Sequence, residues 1–139
     1  MSWLLDTNVI SEWTRPRPDP GVVAWLAAVE EDRLHLSALT FGELWFGIER
    51  LPAGRRRSSL EAFVDQLAAR FEGRVLAVDR VVATAWGVLT RRGRGLGREP
   101  EAIDGLIGAT ALVHGLTIVT RNVGHFAPHG IATLDPWSG

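Results

Sequence analysis

Apolar residues are arranged in two alternating ways along this chain. Short runs that are mostly apolar occupy residues 3–5, 34–36, 75–78 and 116–119, and a further short run lies at 131–134. Such runs predict buried β-strands. Between them, apolar residues recur every three or four positions and predict helices over 22–29, 41–51, 60–71, 82–89 and 103–114. Strands that alternate with helices predict an α/β fold, with a mostly parallel central sheet flanked by helices on both faces.

Local signals mark the ends of the predicted helices. Asp19, Ser37 and Asp79 each precede a helical stretch and are suited to cap its first turn. Gly115 follows the last stretch, where glycine commonly ends a helix in a left-handed conformation. The glycine-rich segment 93–98 predicts a mobile loop between the last two helices. No linker or repeat divides the chain, so we expect one domain over residues 1–139.

Composition excludes several classes of site. The chain has 139 residues, of which 46% are hydrophobic and 22% charged, and these values are ordinary for a globular domain. It contains no cysteine, which excludes disulfides, zinc–thiolate sites and cysteine nucleophiles. All 15 basic residues are arginine, which excludes a P-loop lysine and a Schiff-base lysine. The beginning of the chain has no basic segment before its short apolar run, so we expect no secretory signal and a cytoplasmic location.

Charge is distributed unevenly although the formal net charge is only −1. Residues 50–98 hold 11 of the 15 arginines but only four of the 16 acids. The remaining residues are correspondingly acidic. An acidic cluster beside a basic surface suits a metal site that acts on a polyanion. The alternative is that the arginines form an ordinary solvated helix face.

The candidate chemistry lies where strands end. In open α/β sheets, ligands bind beyond the carboxyl ends of the strands. Asp6 follows the first strand, and Thr120 and Asn122 follow the strand at 116–119. Glu43 lies in the first turns of its helix, and Asp104 opens a helix whose small residues allow a close approach to the sheet. We therefore expect these side chains to share one crevice.

Three carboxylates in one crevice would repel each other strongly. A hard divalent cation such as Mg²⁺ or Mn²⁺ relieves this repulsion and prefers oxygen ligands. Such an ion can activate water and neutralise charge on a phosphodiester. Each acid also has a purely structural explanation: Asp6 as a helix cap, Glu43 as a surface residue, and Asp104 as a partner of its helix dipole. His125 and His129 could form a metal or base site, but we expect both to be surface residues.

Four blocks of sequence resemble one known family, the PIN-domain ribonucleases of the VapC toxin type. The blocks lie in the right order and read LLDTNVI (4–10), SALTFGEL (37–44), IDGLIGATA (103–111) and GLTIVTRN (115–122). The resemblance extends from residue 4 to about residue 126. It implies a PIN-like nuclease domain, metal-dependent hydrolysis of RNA that leaves a 5′-phosphate, a homodimer, and inhibition by a small VapB-like antitoxin. Structured RNA such as tRNA is the implied substrate.

By resemblance, Asp6, Glu43 and Asp104 occupy the three principal acidic positions of the family and would hold Mg²⁺ or Mn²⁺. The fourth block of the family often contributes a further acid. This chain has Asn122 at one of the two positions concerned and His125 at the other. Asn122 can still offer a carbonyl oxygen or hold a water.

Several surfaces are candidates for the implied partners. Thr120 can orient the groups of the fourth block. Arg91, Arg92 and Arg94 precede the Asp104 helix and are predicted to contact RNA. Trp13 and Trp45, with Phe46, are predicted to receive an apolar segment of the antitoxin, unless they are buried within the monomer.

Two other functions stay open at the level of sequence. An aspartyl phosphatase also places an acid after its first strand, but its D-x-D pattern requires an acid where this chain has Asn8. A catalytically inactive PIN-fold module that binds RNA or protein is the second alternative. The absent fourth acid favours the inactive module, and the three retained acids oppose it.

Overall fold

A computed structural model of the protein describes residues 1–137. Its five strands are β1 (Trp3–Leu5), β2 (Leu34–Ser37), β3 (Val75–Leu76), β4 (Thr117–Val119) and β5 (Thr133–Leu134). They are all parallel and lie in the order β3-β2-β1-β4-β5. The central strand, β1, therefore has β2 on one side and β4 on the other.

Six α-helices connect these strands within residues 1–137. They are α1 (Thr7–Glu12), α2 (Pro20–Ala28), α3 (Ala38–Glu49), α4 (Arg55–Arg70), α5 (Arg80–Gly95) and α6 (Ala102–His114). The predicted caps are confirmed, because the side chains of Asp19, Ser37 and Asp79 accept hydrogen bonds from first-turn amides. Gly115 ends α6 at φ 65°, in the left-handed region that favours glycine.

Hydrophobic clusters cover both faces of the sheet, as predicted. Leu4 and Leu5 are neighbours on β1 and point to opposite faces, because side chains alternate along a strand. Leu5 belongs to a cluster with residues of α1, α2 and α4, whereas Leu4 belongs to one with residues of α5 and α6. The α/β fold with helices on both faces is therefore confirmed.

The predicted loop at 93–98 is wrong for its first half, because α5 continues to Gly95. Gly93 is buried, and the amide of Arg98 donates to its carbonyl oxygen at 2.6 Å. A Cβ on Gly93 would lie only 2.6 Å from the carbonyl oxygen of Arg98. This glycine therefore permits a close backbone contact instead of mobility.

The small residues of α6 serve more than one close approach. A Cβ on Gly105 would lie 3.1 Å from the Trp86 ring of α5, and one on Gly108 would lie 2.5 Å from Ile131. These two glycines therefore allow contact with α5 and with the segment before β5, whereas Ala111 packs against the sheet in the cluster that contains Leu4, as expected. The third strand is shorter than predicted and ends at Leu76. Residues 138 and 139 of the expected domain lie outside the described residues. Within residues 1–137, no helix is long and apolar enough to cross a membrane.

Candidate active site

Asp6 lies between β1 and α1 and is the helix cap that the sequence suggested, while its role as a metal ligand stays a prediction. Its Oδ1 accepts a hydrogen bond from the Thr7 amide at 2.8 Å and thereby caps α1. Its Oδ2 accepts from the Thr120 hydroxyl at 2.8 Å. The residue is only 6% exposed. Asp6 is therefore a buried carboxylate that is held from two sides at the end of the central strand.

Thr120 connects β4 to Asp6 through a fully used hydroxyl group. The hydroxyl accepts from the Asn122 amide at 2.9 Å and from the Asn8 side-chain Nδ2 at 3.3 Å, and it donates to Asp6. Because both acceptor positions are taken, its hydrogen is directed to the carboxylate. Within residues 1–137, the exposed side chain of Asn122 forms no hydrogen bond, so this residue reaches the site through its backbone.

Glu43 is linked to Asp6 through Thr7, a residue that sequence reasoning did not single out. The Thr7 hydroxyl donates to Glu43 Oε1 at 2.6 Å, while the Thr7 amide donates to Asp6. Thr7, the first residue of α1, therefore holds the carboxylates of Asp6 and Glu43 together. The only sequence signal for this role is the position of Thr7 directly after Asp6. Asn8 was likewise missed as a partner of Thr120.

Asp104 lies in the first turn of α6 and pairs with His125. His125 Nδ1 lies 2.9 Å from Asp104 Oδ2. The His125 side chain is 53% exposed and that of Asp104 is 21% exposed. His125 is thus exposed, as expected, but it is not an isolated surface residue, because it contacts one of the three predicted acids.

The three acids influence each other electrostatically. Burial is the largest effect on Asp6 and raises its pKa, whereas the hydrogen bonds from Thr120 and Thr7 oppose this and the charge of Asp104 adds to it. Burial also raises the pKa of Glu43, the hydrogen bond from Thr7 opposes it, and the charges of Asp6 and Asp104 raise it further. The structure therefore brings all three predicted acids into one electrostatic neighbourhood.

This donor set fits a hard divalent cation in its chemistry. All three groups are oxygen donors, and a cation would favour the charged forms of Asp6 and Glu43, whose pKa values are raised chiefly by burial and further by repulsion between the acids. Within residues 1–137, no three His, Asp or Glu side chains already converge on one point. Such a cage is not required, since Mg²⁺ is usually bound by one or two carboxylates and keeps several waters.

The predicted RNA-contacting arginines separate into two kinds. Arg94 forms an ion pair with Glu99. Arg92 lines a groove between α5 and α6, and Arg91 is exposed on α5. The sequence predicted one cluster of three equivalent arginines around a loop. In the structure, the three arginines have different surroundings.

The aromatic residues predicted to receive an antitoxin are also placed differently. Trp13 packs against the buried cluster of the monomer, and the Arg70 guanidinium lies 5.2 Å from its ring centre. Trp13 is thus half-buried in the monomer, and its role as a docking anchor stays a prediction. Trp45 is half-buried, whereas Phe46 is 67% exposed. A groove between α1, α3 and α4 opens beside Glu43 and is lined by apolar residues that include Leu44, Leu60 and Phe63.

Comparisons with known proteins agree with this geometry. The PIN domain family matches residues 3–127. The chain is 40% identical to the toxin FitB of Neisseria gonorrhoeae over 96% of this chain and 97% of that protein. It is 36% identical to the VapC ribonuclease Y4jK of Sinorhizobium fredii over 96% of each.

A solved structure leads to the same family. The crystal structure of FitAcB from Neisseria gonorrhoeae superposes with a TM-score of 0.92 at 39% identity, and it covers 99% of both chains. The predicted fold and family are thus confirmed by sequence and by structure. The chain belongs to the PIN-domain family, alongside relatives named as a toxin and as VapC ribonucleases.

Proposed function

We propose that this protein is a Mg²⁺- or Mn²⁺-dependent endoribonuclease and the toxin of a toxin–antitoxin pair. One observation carries the proposal: Thr7 is hydrogen-bonded to both Asp6 and Glu43 at the carboxyl end of the central strand, and Asp104 lies close enough to raise the pKa of both carboxyl groups. The names of its relatives, ribonuclease and toxin, support the same function. RNA, including structured RNA such as tRNA, is the proposed substrate, and the cytoplasm the proposed site of action.

We propose a separate role for each side chain of the site. Asp6, Glu43 and Asp104 would hold the cation, whose positive charge would offset the repulsion between these acids and the RNA phosphate. Thr120 and Thr7 fix the two oxygens of Asp6, and Thr7 also fixes Glu43. When bound, a divalent cation supplies charge neutralisation at the phosphodiester and activation of the attacking water. Because burial keeps bulk water from Asp6, its interaction with a cation is strengthened.

Conservative substitution of the acids tests the proposal. Asp6→Asn and Asp104→Asn each remove a negative charge at nearly constant size. We expect Mn²⁺-dependent cleavage of labelled RNA to fall by orders of magnitude while the protein still melts cooperatively. Asp65→Asn is a matched control, because Asp65 is exposed on α4. Wild-type cleavage by Asp104→Asn would refute the assignment of this site.

A protein antitoxin is the second part of the proposal. The groove between α1, α3 and α4 has a volume of about 320 Å³ and adjoins Glu43. An apolar antitoxin segment that lies along Leu60 and Phe63 would bring a basic side chain to the acids and block the site. Leu60→Asp should weaken inhibition by the protein encoded in the neighbouring reading frame, while RNA cleavage stays normal. Unchanged inhibition would exclude this groove.

The oligomeric state is a further part of the proposal. A homodimer is proposed from the family resemblance, and light scattering at several concentrations tests it.

An inactive PIN-fold module is the alternative function, since no acid occupies the position of Asn122 and its side chain faces solvent. Absence of cleavage with any divalent cation, together with retained RNA or antitoxin binding, would favour that alternative. The phosphatase hypothesis loses support, because Asn8 is used as a hydrogen-bond donor to Thr120.

A further inference from the structure

A groove runs from the acidic site along α5, and the residues discussed above that line it are Asp104, His125 and Arg92. One part, about 410 Å³ in volume, is lined by Asp104 and His125. A second part, about 360 Å³ in volume, lies between α5 and α6. Both parts share the walls Arg98, Pro128 and His129. We call the two adjoining parts together the α5 groove. Because Asp104 lines one part and both parts meet at the same three residues, a chain bound at the acids can extend past Arg98 and His129 into the second part.

The floor of the α5 groove is apolar and open to solvent. Val88, Leu96 and Leu112 line it and are 47%, 70% and 46% exposed. Large apolar side chains with this exposure, gathered on one surface, commonly mark a binding site. Nucleic acid bases have apolar faces, so they can be accommodated on such a floor.

The walls of the α5 groove are basic. Arg92 and Arg98 line it and are exposed, and neither forms an ion pair within residues 1–137. Arg94 differs, because Glu99 already neutralises it. A guanidinium without a carboxylate partner is available to bind phosphate through paired hydrogen bonds. The groove thus offers charge that complements a phosphate backbone.

The position of Arg98 is determined by the fold. The turn after α5 folds back so that the Arg98 amide donates to the Gly93 carbonyl. Buried Gly93 allows this approach, because a Cβ there would also lie 3.2 Å from His129 Cε1. Arg98 is therefore held at the junction of the two parts of the groove.

We infer that the α5 groove binds the single-stranded RNA that flanks the cleaved phosphodiester. Bases lie on the floor formed by Leu96 and its neighbours, and phosphates are bound by Arg92 and Arg98. This inference rests on the proposed ribonuclease function. It also selects between arginines that the sequence treated alike, because it assigns no phosphate contact to Arg94.

Binding of RNA without catalysis tests the walls of the groove. The probe is a fluorescein-labelled single-stranded oligouridylate, measured by anisotropy in EDTA over a range of salt concentrations. The double variant Arg92→Gln/Arg98→Gln should bind more weakly and lower the salt slope by about 1.4, since each single-strand phosphate contact contributes about 0.7. The control Arg91→Gln/Arg94→Gln also removes two arginines but should keep the wild-type slope, because Arg91 lines neither part of the groove and Arg94 is paired with Glu99.

A second pair of variants tests the floor. Leu96→Ser should weaken binding several-fold without a change in salt slope, because it removes base contact and no charge. Because the Leu96 side chain is exposed, this variant should fold as the wild type does. Val23→Ser is the control, since Val23 is 47% exposed on α2, outside the groove. Its RNA binding should equal that of the wild type.

Several results would overturn the inference. An unchanged salt slope in the Arg92/Arg98 variant would do so, and so would wild-type protein that binds no RNA. If Leu96→Ser converts a dimer into a monomer while RNA binding stays unchanged, the floor is a self-association surface instead. Failure of the proposed function is distinct from these results, because RNA cleavage would then be absent with every divalent cation while the groove variants still altered binding in EDTA.

Discussion

Removing the Thr120 hydroxyl tests how strongly its hydrogen bond holds the Asp6 carboxylate. Thr120→Val keeps the shape of a fully buried side chain but deletes the donor that lies 2.8 Å from Asp6 Oδ2. A hydrogen bond to a charged group contributes about 1.5–3 kcal/mol to stability. We therefore expect the free energy of unfolding to fall by about 2 kcal/mol at pH 7.5. For a domain of this size, that corresponds to a decrease of about 5–10 °C in Tm.

The pH dependence of this effect follows from the direction of the pKa shift. The Thr120 hydrogen bond favours the carboxylate and lowers the pKa of Asp6, against the larger effect of burial. Thr120→Val therefore raises the pKa of Asp6 further. The stability lost in the variant is greatest above that pKa and decreases as falling pH protonates the carboxyl group in both proteins.

Thermal melting of the metal-free protein at several pH values is the assay. Thr120→Ser is the matched control, because it keeps the hydroxyl and loses only a methyl group. It should retain most of the pH-dependent stability that Thr120→Val loses. A Thr120→Val protein that melts like the wild type at pH 7.5 would refute the reasoning. A loss of the same size at every pH would show that packing or the hydrogen bonds from Asn122 and Asn8, not the bond to Asp6, are responsible.

Three further predictions concern the surrounding residues. Glu43→Gln should raise the Tm of the metal-free protein by a few degrees at pH 7.5 but not at acidic pH. The raised pKa of Glu43 means that its stability contribution is present at low pH and is lost as pH rises. His125→Ala should lower the cleavage rate severalfold at unchanged KM, and His125→Asn should restore much of it by again contacting Asp104; His114→Ala is the control. Gly93→Ala should lower both Tm and RNA affinity by displacing Arg98, and normal values for both would contradict the close packing there.

Local patterns in the sequence were sufficient for the architecture. The alternation of strands and helices predicted the parallel sheet, because side-chain periodicity depends only on the direction in which neighbouring residues point. Capping by Asp19, Ser37 and Asp79 was equally predictable, since a cap contacts amides two or three residues away. The identity of the acids also followed from their places at strand and helix ends, together with the family resemblance.

Contacts between distant residues were not available from those patterns. Thr7 and Glu43 are 36 positions apart, and Asp6 and Thr120 are 114 apart, so only the packed sheet shows that they are hydrogen-bonded. The pairing of His125 with Asp104 likewise needs the chain after β4 to return over the start of α6.

The sequence by itself therefore determined the fold class, the element order and the three acids, because these depend on periodicity, on end signals and on recognisable blocks. Tertiary structure alone decided which hydrogen bonds hold the acids, which arginines remain unpaired, and how far Trp13 is buried. It also decided what Gly93 contributes to packing. Glycine in a helix weakens it when only local propensity is considered, but here the absence of a side chain allows the Arg98 backbone to pack against α5. Such effects depend on the atoms that surround a residue, and folding alone brings those atoms together.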